Sequence, residues 1–351
     1  MRRIECNEAR KDESARFDGI VPRDLSRVAK MPMLASKSTA LAAITVKKIK
    51  LPNIPGKINS VQLNYFRKNA ILNIGLGGDL KMLNITRYSI KDEHLKPWVK
   101  FIWNLEVEDA NIRYKLLPTD CIDIILNLSG NIAYEVDSLC TLAAPLHING
   151  LRGKHSYIRH TGKIRVFGIS FYPFGFYPFV NKSLVGLNDK VMVLFEVSMP
   201  LAQSLKLAIS DESTTEDIVN SIEKSLCTNL EVTYEYINKV NLILDFLESD
   251  DEITIQSFCV EHGIHTKTFT RNVEYYTGYT PKILRSIKRF QKTGNQLVYQ
   301  SSDQLLDISY GNGFADQAHF IREFRKFSGA SPRTFQQEKI TVKENVKYTY
   351  R

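Results

Sequence analysis

The feature that most constrains this chain is a pattern that occurs twice between residues 251 and 338. Ile255, Phe258 and Cys259 supply one apolar helix face, His262-Gly263-Ile264 a turn, and His265 to Val273 (HTKTFTRNV) a second helix. About 50 residues later Leu305, Leu306 and Ile308, with small Ser309 beside them, repeat the first face. Gly311-Asn312-Gly313-Phe314 then reads as the turn and Ala315 to Phe327 (ADQAHFIREFRKF) as the next helix. Helix, tight turn containing glycine, helix is the helix-turn-helix unit. Each unit closes with Gly-x-(Thr/Ser)-Pro: Gly278-Tyr279-Thr280-Pro281 and Gly329-Ala330-Ser331-Pro332. That fits a C-cap glycine, then an N-cap hydroxyl with proline at the first position of the following helix.

With Phe269 and Val273 turned inward in the first unit, Lys267, Thr268, Thr270 and Arg271 are left outside. With Phe320, Phe324 and Phe327 inward in the second, Gln317, Ala318, Ile321 and Arg322 share the opposite face. Glutamine pairs bidentately with adenine, arginine with guanine, and small apolar groups suit the thymine methyl. Asp316 stands where a carboxylate favours a helix N-terminus, so it is assigned to the helix and not to DNA.

These residues resemble the AraC/XylS-type transcriptional regulators. The second unit, GFADQAHFIREFRKFSGASPRTF (Gly313–Phe335), is similar to that family's signature almost throughout, and Arg289-Phe290-Gln291 fits its joining helix. The first unit departs more: His265 stands where the family usually has Ser, and Phe258-Cys259 replaces the usual Leu-Ala. The resemblance implies double-stranded DNA as partner, read by two recognition helices in successive major-groove segments about 34 Å apart. Direct readout then falls to Arg322 and Gln317 in the second unit, and to Arg271 with Lys267 or Thr270 in the first. Arg285, Lys288 and Lys292 on the joining helix are candidates for phosphate contact. RNA polymerase is a further implied partner, activation is the implied output, and a homodimer stays open.

Upstream, about Leu83 to Leu187 is built of short runs rich in Ile, Val, Tyr and Phe, such as Cys121–Leu128, Ile132–Val136 and Arg165–Tyr172. Ser129-Gly130-Asn131 and Thr161-Gly162-Lys163 separate them as turns, which suggests an antiparallel barrel or sandwich. Helical spacing returns over 211–226 and 232–247. The fold class expected is therefore α+β: a β-rich sensing or dimerisation domain over 83–200, a helical linker over 201–230, and an all-α tandem helix-turn-helix domain over 231–338, with a tail over 339–351. Leu95-Lys-Pro97-Trp-Val99, Trp103, Leu117 to Asp123, Gly150 and Val166 to Gly175 resemble the uncharacterised N-terminal domain of some AraC-type regulators. In that family such domains are β-rich, often cupin-like, and bind a small-molecule effector or mediate dimerisation.

Charge alone is a poor guide to DNA here. Residues 1–80 carry 15 Lys and Arg against 7 Asp and Glu, which is nearly all of the net +9. Prolines and glycines punctuate that segment without periodicity. It reads as a disordered basic extension or as an upstream segment outside the native protein, Met82 being an alternative start; a DNA-touching arm is the functional alternative. No stretch approaches the roughly 20 apolar residues that span a bilayer, and the charged N-terminus lacks a secretory stretch, so the cytoplasm is the expected address. Five scattered cysteines (6, 121, 140, 227, 259) suit reduced thiols.

His147, His155 and His160 match no compact metal-ligand spacing and are read as strand or surface histidines. Trp98, Trp103, Tyr172, Phe174, Phe176 and Tyr177 are read as core, with a ligand pocket as the alternative. No Walker loop, GxSxG, HExxH or paired-carboxylate signature occurs, so neither enzyme activity nor a cofactor is expected. The alternative of a different class is an enzymatic or damage-sensing N-terminal domain that the C-terminal domain localises to DNA.

Overall fold

The computed structural model describes residues 74–75, 83–136, 139–209, 213–299, 305–337 and 346–351. The expectations for residues 1–80 and for Met82 thus fall almost wholly outside the described residues. The strands are β1 (Ile74–Gly75), β2 (Leu83–Tyr88), β3 (Val99–Leu116), β4 (Ile122–Val136), β5 (Leu139–Leu142), β6 (Leu146–Asn149), β7 (Ser156–Phe171), β8 (Val191–Val193) and β9 (Val346–Tyr350). They form one sheet in the order β8-β6-β4-β7-β3-β2-β9, with β1 on β3 and β5 on β4. All pairs are antiparallel except β2 with β9, where Leu83 faces Val346 and Arg87 faces Tyr350 in parallel register.

Two expected turns are corrected. Ser129-Gly130-Asn131 lies within β4 and Thr161-Gly162-Lys163 within β7. The pairing register shifts there, at Ser129/Asn131 of β4 and Val107/Ala110 of β3. Gly130 and Gly162 adopt φ of 76° and 83°, the left-handed conformation that a glycine bulge uses to bend a strand without ending it. Read locally the tripeptides look like turns; the neighbouring strand makes them bulges.

Along β4 and β7 alternate side chains enter different layers, because a strand has a period of two. Ile122, Ile124, Leu126, Phe167, Ile169 and Phe171 join the main core with the helices. Ile125, Ile132, Ile158, Ile164 and Val166 form a second cluster on the other face with Ile85, Leu105 and Ile112. Both faces are buried, so these strands read as almost unbroken apolar runs.

The helices are α1 (Leu194–Val197), α2 (Met199–Leu207), α3 (Thr215–Asn229), α4 (Tyr234–Glu248), α5 (Ile255–Glu261), α6 (Thr266–Thr277), α7 (Pro281–Tyr299), α8 (Leu305–Tyr310), α9 (Gln317–Ser328) and a last turn, α10, over 332–337. Helix α3 starts on a reciprocal cap between Thr214 and Asp217. The segment expected as a helical linker holds the end of α2 and all of α3, and both are sealed into the main core. Leu201, Ala202, Leu205, Ile218, Ile222 and Leu226 are all fully buried, and the Glu223 carboxylate accepts the backbone N–H groups of Lys91 and Asp92 at 3.2 Å. No helix among the described residues is long and apolar enough to cross a membrane.

Candidate nucleic-acid interface and ligand cavity

The two C-terminal units are the same device built twice. In the first, Ile264 N–H donates to Cys259 O at 2.9 Å; in the second, Phe314 N–H donates to Ser309 O at 3.3 Å. The turn glycines Gly263 and Gly313 both have positive φ, 62° and 70°. At the helix ends, Thr277 Oγ1 donates to Val273 O at 2.7 Å and Ser328 Oγ to Phe324 O at 2.9 Å. Each hydroxyl also accepts the backbone N–H two residues on, of Tyr279 or Ala330, at 3.2 Å. Gly278 and Gly329 then close α6 and α9 in the left-handed conformation, as the Gly-x-(Thr/Ser)-Pro pattern requires.

Phe258, Cys259, Phe269 and Val273 are buried in the first unit, and Ile308, Ser309, Phe320, Phe324 and Phe327 in the second. Their burial turns the expected reading residues outward. Lys267, Thr268 and Arg271 on α6 are exposed and Thr270 is half-buried. Gln317, Ala318, Ile321 and Arg322 on α9 are all exposed. Arg271 and Arg322 occupy the same place in their units, about two turns before the same C-cap glycine. Asp316 is the N-cap of α9, its carboxylate accepting His319 N–H at 2.6 Å.

The joining helix α7 departs from expectation. Arg285 is turned inward: its guanidinium donates to Ile253 O at 2.6 Å, Phe246 O at 3.0 Å and Ser249 Oγ at 2.9 Å, and lies 3.9 Å over the Phe246 ring. Lys288 donates to Leu247 O and reaches Glu248 Oε1 at 3.2 Å. Burial holds both cations below their ordinary pKa, partly offset by Asp251 and Glu248. These two close the carbonyl-rich end of α4, as cations do at a helix C-terminus. Of the three cations expected at phosphates, Lys292 alone is exposed.

The second candidate site lies inside the sheet. A cavity of about 110 Å³ is walled by Ile85, Leu105, Leu116, Ile125, Ile132 and other apolar groups, with Arg87, Asp123, Asn149, Arg152, His160 and Ser170 among its polar lining. There Ser170 Oγ donates to Asp123 Oδ1 at 2.6 Å, and Arg152 Nη2 stands 3.8 Å from Asp123 Oδ2. Burial raises the Asp123 carboxyl pKa, against Arg152 and the Ser170 hydrogen bond, which lower it. His147 Nδ1 donates to Ala144 O at 2.6 Å, so its Nε2 accepts Tyr134 OH at 3.0 Å, and Tyr134 in turn accepts Asn149 Nδ2 at 2.8 Å. This relay fixes the Asn149 amide with Oδ1 as an acceptor. His160 Nε2 meets Tyr114 OH at 3.0 Å. Burial holds both histidines at a pKa of about 4 and hence neutral at pH 7. Among the described residues no group of three His, Cys, Asp or Glu could hold a metal.

Of the six aromatics weighed as pocket lining, only Trp103 reaches this cavity; Trp98, Tyr172, Phe174 and Phe176 are in the main core. Asp123, Asn149, Arg152 and His160 were not legible as a set. They come from three strands and a loop, and only sheet pairing brings them together. The one local signal is Gly168, where a Cβ would sit 2.0 Å from the Trp103 ring.

A family model described as a helix-turn-helix domain matches residues 258–338, the two units and the helix between them. The C-terminal domain is of the AraC/XylS type. Ahead of the AraC/XylS-type domain, a model described as a domain of unknown function matches residues 92–193. The chain is similar to the HTH-type transcriptional activator RhaS of Escherichia fergusonii, 28% identical over 101 residues, which are 28% of this chain and 36% of RhaS. RhaS of Pectobacterium carotovorum is 25% identical over 107 residues, 30% of this chain and 38% of the relative. The match thus spans little more than a third of either relative. Among solved structures, ToxT from Vibrio cholerae aligns with a TM-score of 0.36 at 12% identity over 68% of this chain and 97% of ToxT.

Proposed function

We propose that this chain is a sequence-specific, DNA-binding transcriptional regulator whose two recognition helices, α6 and α9, enter successive major-groove segments of double-stranded DNA. The observation that carries the reading is the pair Arg271 and Arg322, exposed at equivalent positions of two like units. Arginine reads guanine bidentately, and Gln317, Ala318 and Ile321 give α9 further base-reading chemistry. Lys267, Thr268 and Thr270 are the corresponding set on α6. Lys292 is the phosphate candidate on α7. Both units belong to one chain, so a single copy can occupy the site, and a homodimer is an addition, not a requirement. Activation through RNA polymerase in the cytoplasm is the output we assign, since the curated relatives are named as transcriptional activators.

The β-domain is assigned the sensing role. Its cavity joins apolar walls to Asp123, Asn149, Arg152 and His160, which suits a small molecule with an apolar body and a hydrogen-bonding end. The test of the DNA reading is selection of bound sequences from a random duplex pool by the full chain and by Arg322→Ala. Two short preferred blocks, with one position blurred in the variant, are expected. Sequence-blind binding that fades steeply with salt would overturn the reading.

A further inference from the structure

A single short loop connects the cavity to the C-terminal ends of both recognition helices. Arg152 lines the cavity and, with Tyr134 and Asn149, separates it from a second void of about 20 Å³ bordered by Lys154, Ser156 and Asp189. These three side chains are therefore a partition with space on both sides.

From the partition, two links run to the DNA-binding units. The residue after Arg152, Gly153, donates its N–H to Asp189 Oδ1 at 2.9 Å, and Asp189 Oδ2 accepts Tyr279 OH at 2.6 Å. Tyr279 directly follows Gly278, the C-cap of α6. Two residues beyond Gly153, the His155 ring lies against Gly329, the C-cap of α9, where a Cβ would come within 2.6 Å of it. The segment facing this loop is tied to it. Asp189 N–H donates to Leu151 O at 2.9 Å, Gly150 N–H to Lys190 O at 3.1 Å, and Asp189 itself holds a φ of 55°, unusual for a residue with a side chain. The same segment reaches α6 again, Leu184 N–H donating to Tyr275 O at 2.9 Å and Asn188 Nδ2 to Gly278 O.

Equivalent points of two repeated units thus rest on one element of the β-domain. Both are helix C-termini, while the exposed Lys267, Thr268, Arg271, Gln317, Ile321 and Arg322 lie in the opposite halves of α6 and α9. Helices held at one end and reading with the other change their setting when the held end moves. We propose that occupancy of the cavity is transmitted through the Arg152–His155 loop to the C-caps of both recognition helices, and so sets the spacing at which the two units read DNA. This rests on the cavity and DNA readings above.

The test uses the full chain and needs no identified ligand. Ile132→Trp fills the cavity as a surrogate occupant, with Leu116→Phe as a milder second filling. Hydrogen exchange is followed over residues 274–281 and 325–332, without DNA. Filling is expected to change exchange at both C-caps by about fivefold or more, the low end of ordinary coupling. Adding Tyr279→Phe together with Asn188→Ala should weaken the α6 response and leave that of α9, and adding His155→Ala should do the reverse. Folded filling variants that leave both C-caps unchanged would overturn the proposal, as would responses that survive both link substitutions. If exchange responds as expected but no duplex is selected in any background, the coupling stands and the DNA reading falls. If duplexes are selected with the same spacing in all variants and exchange is silent, the DNA reading stands and the coupling falls.

Discussion

Arg289 on the joining helix donates through one nitrogen to both carboxylate oxygens of Glu323, at 2.7 and 2.9 Å, and Glu323 is the immediate neighbour of Arg322. Both side chains are largely buried, Arg289 also lies 4.8 Å over the Phe314 ring, and His319 stands 3.3 Å from Glu323. The acidic residue on α9 is therefore an internal anchor that ties this helix to α7 next to Arg322. Charge-assisted pairs of this kind are worth about 1–3 kcal/mol when one partner is removed. Glu323→Ala and Arg289→Ala should each destabilise the chain by that amount, and the double variant by clearly less than the two together, as urea unfolding would show.

Arg271→Ala and Arg322→Ala should each weaken DNA binding by about 1–3 kcal/mol and relax preference at one base pair, in different blocks of the selected sequence. Loss of preference at the same position in both variants would contradict two separate reading helices.

The three cations of α7 should separate cleanly. Lys292→Ala is expected to lower affinity evenly across sequences and reduce the salt slope by about 1. Lys288→Ala should leave the slope unchanged and instead lower stability, because its ammonium serves Leu247 O and Glu248. Titrating binding against salt for both variants distinguishes the two roles.

His147 and His160 are neutral in the fold, with pKa values near 4 against 6.5 unfolded. Between those values the unfolded chain binds more protons than the folded one. Stability is therefore full above about pH 6.5 and falls as pH drops towards 4, by up to about 3 kcal/mol for each histidine. Replacing His160 with Gln should flatten the pH dependence of the urea midpoint across that window.

Gly168→Ala would drive a methyl into the Trp103 ring. A cost of about 1–3 kcal/mol is expected from overpacking, together with displacement of Trp103 into the cavity. Since the chain has 2 tryptophans and Trp98 lies in the other core, the change should be read in the fluorescence of Trp103 in a Trp98→Phe background.

The helix-turn-helix units were legible in the sequence because their determinants are local. Turn glycine, apolar spacing and Gly-x-(Thr/Ser)-Pro all act within one or two helical turns, and the outward faces follow once Phe269, Val273, Phe320 and Phe324 are turned in. The strands were legible as apolar runs but not as long strands, since Gly130 and Gly162 become bulges only when β3, β4 and β7 lie side by side. Arg285 and Lys288 looked like free cations because a helical period cannot show that the end of α4 lies beside them. Gln291, which donates to Asp120 Oδ1 at 3.2 Å beside the buried Lys100, carries no local sign of that role for the same reason.

The parallel pairing of β9 with β2 has a consequence for biogenesis. A ribosome releases residues 346–350 only after the entire tandem unit has emerged, yet those residues complete the side of the sheet next to Ile85 and Arg87, which line the cavity. The helix-turn-helix units rest on local contacts, whereas β2 must wait for a partner made long after it. Until residues 346–350 are made, the β2 edge that they pair with lacks that partner, and an unpaired strand edge invites adventitious pairing.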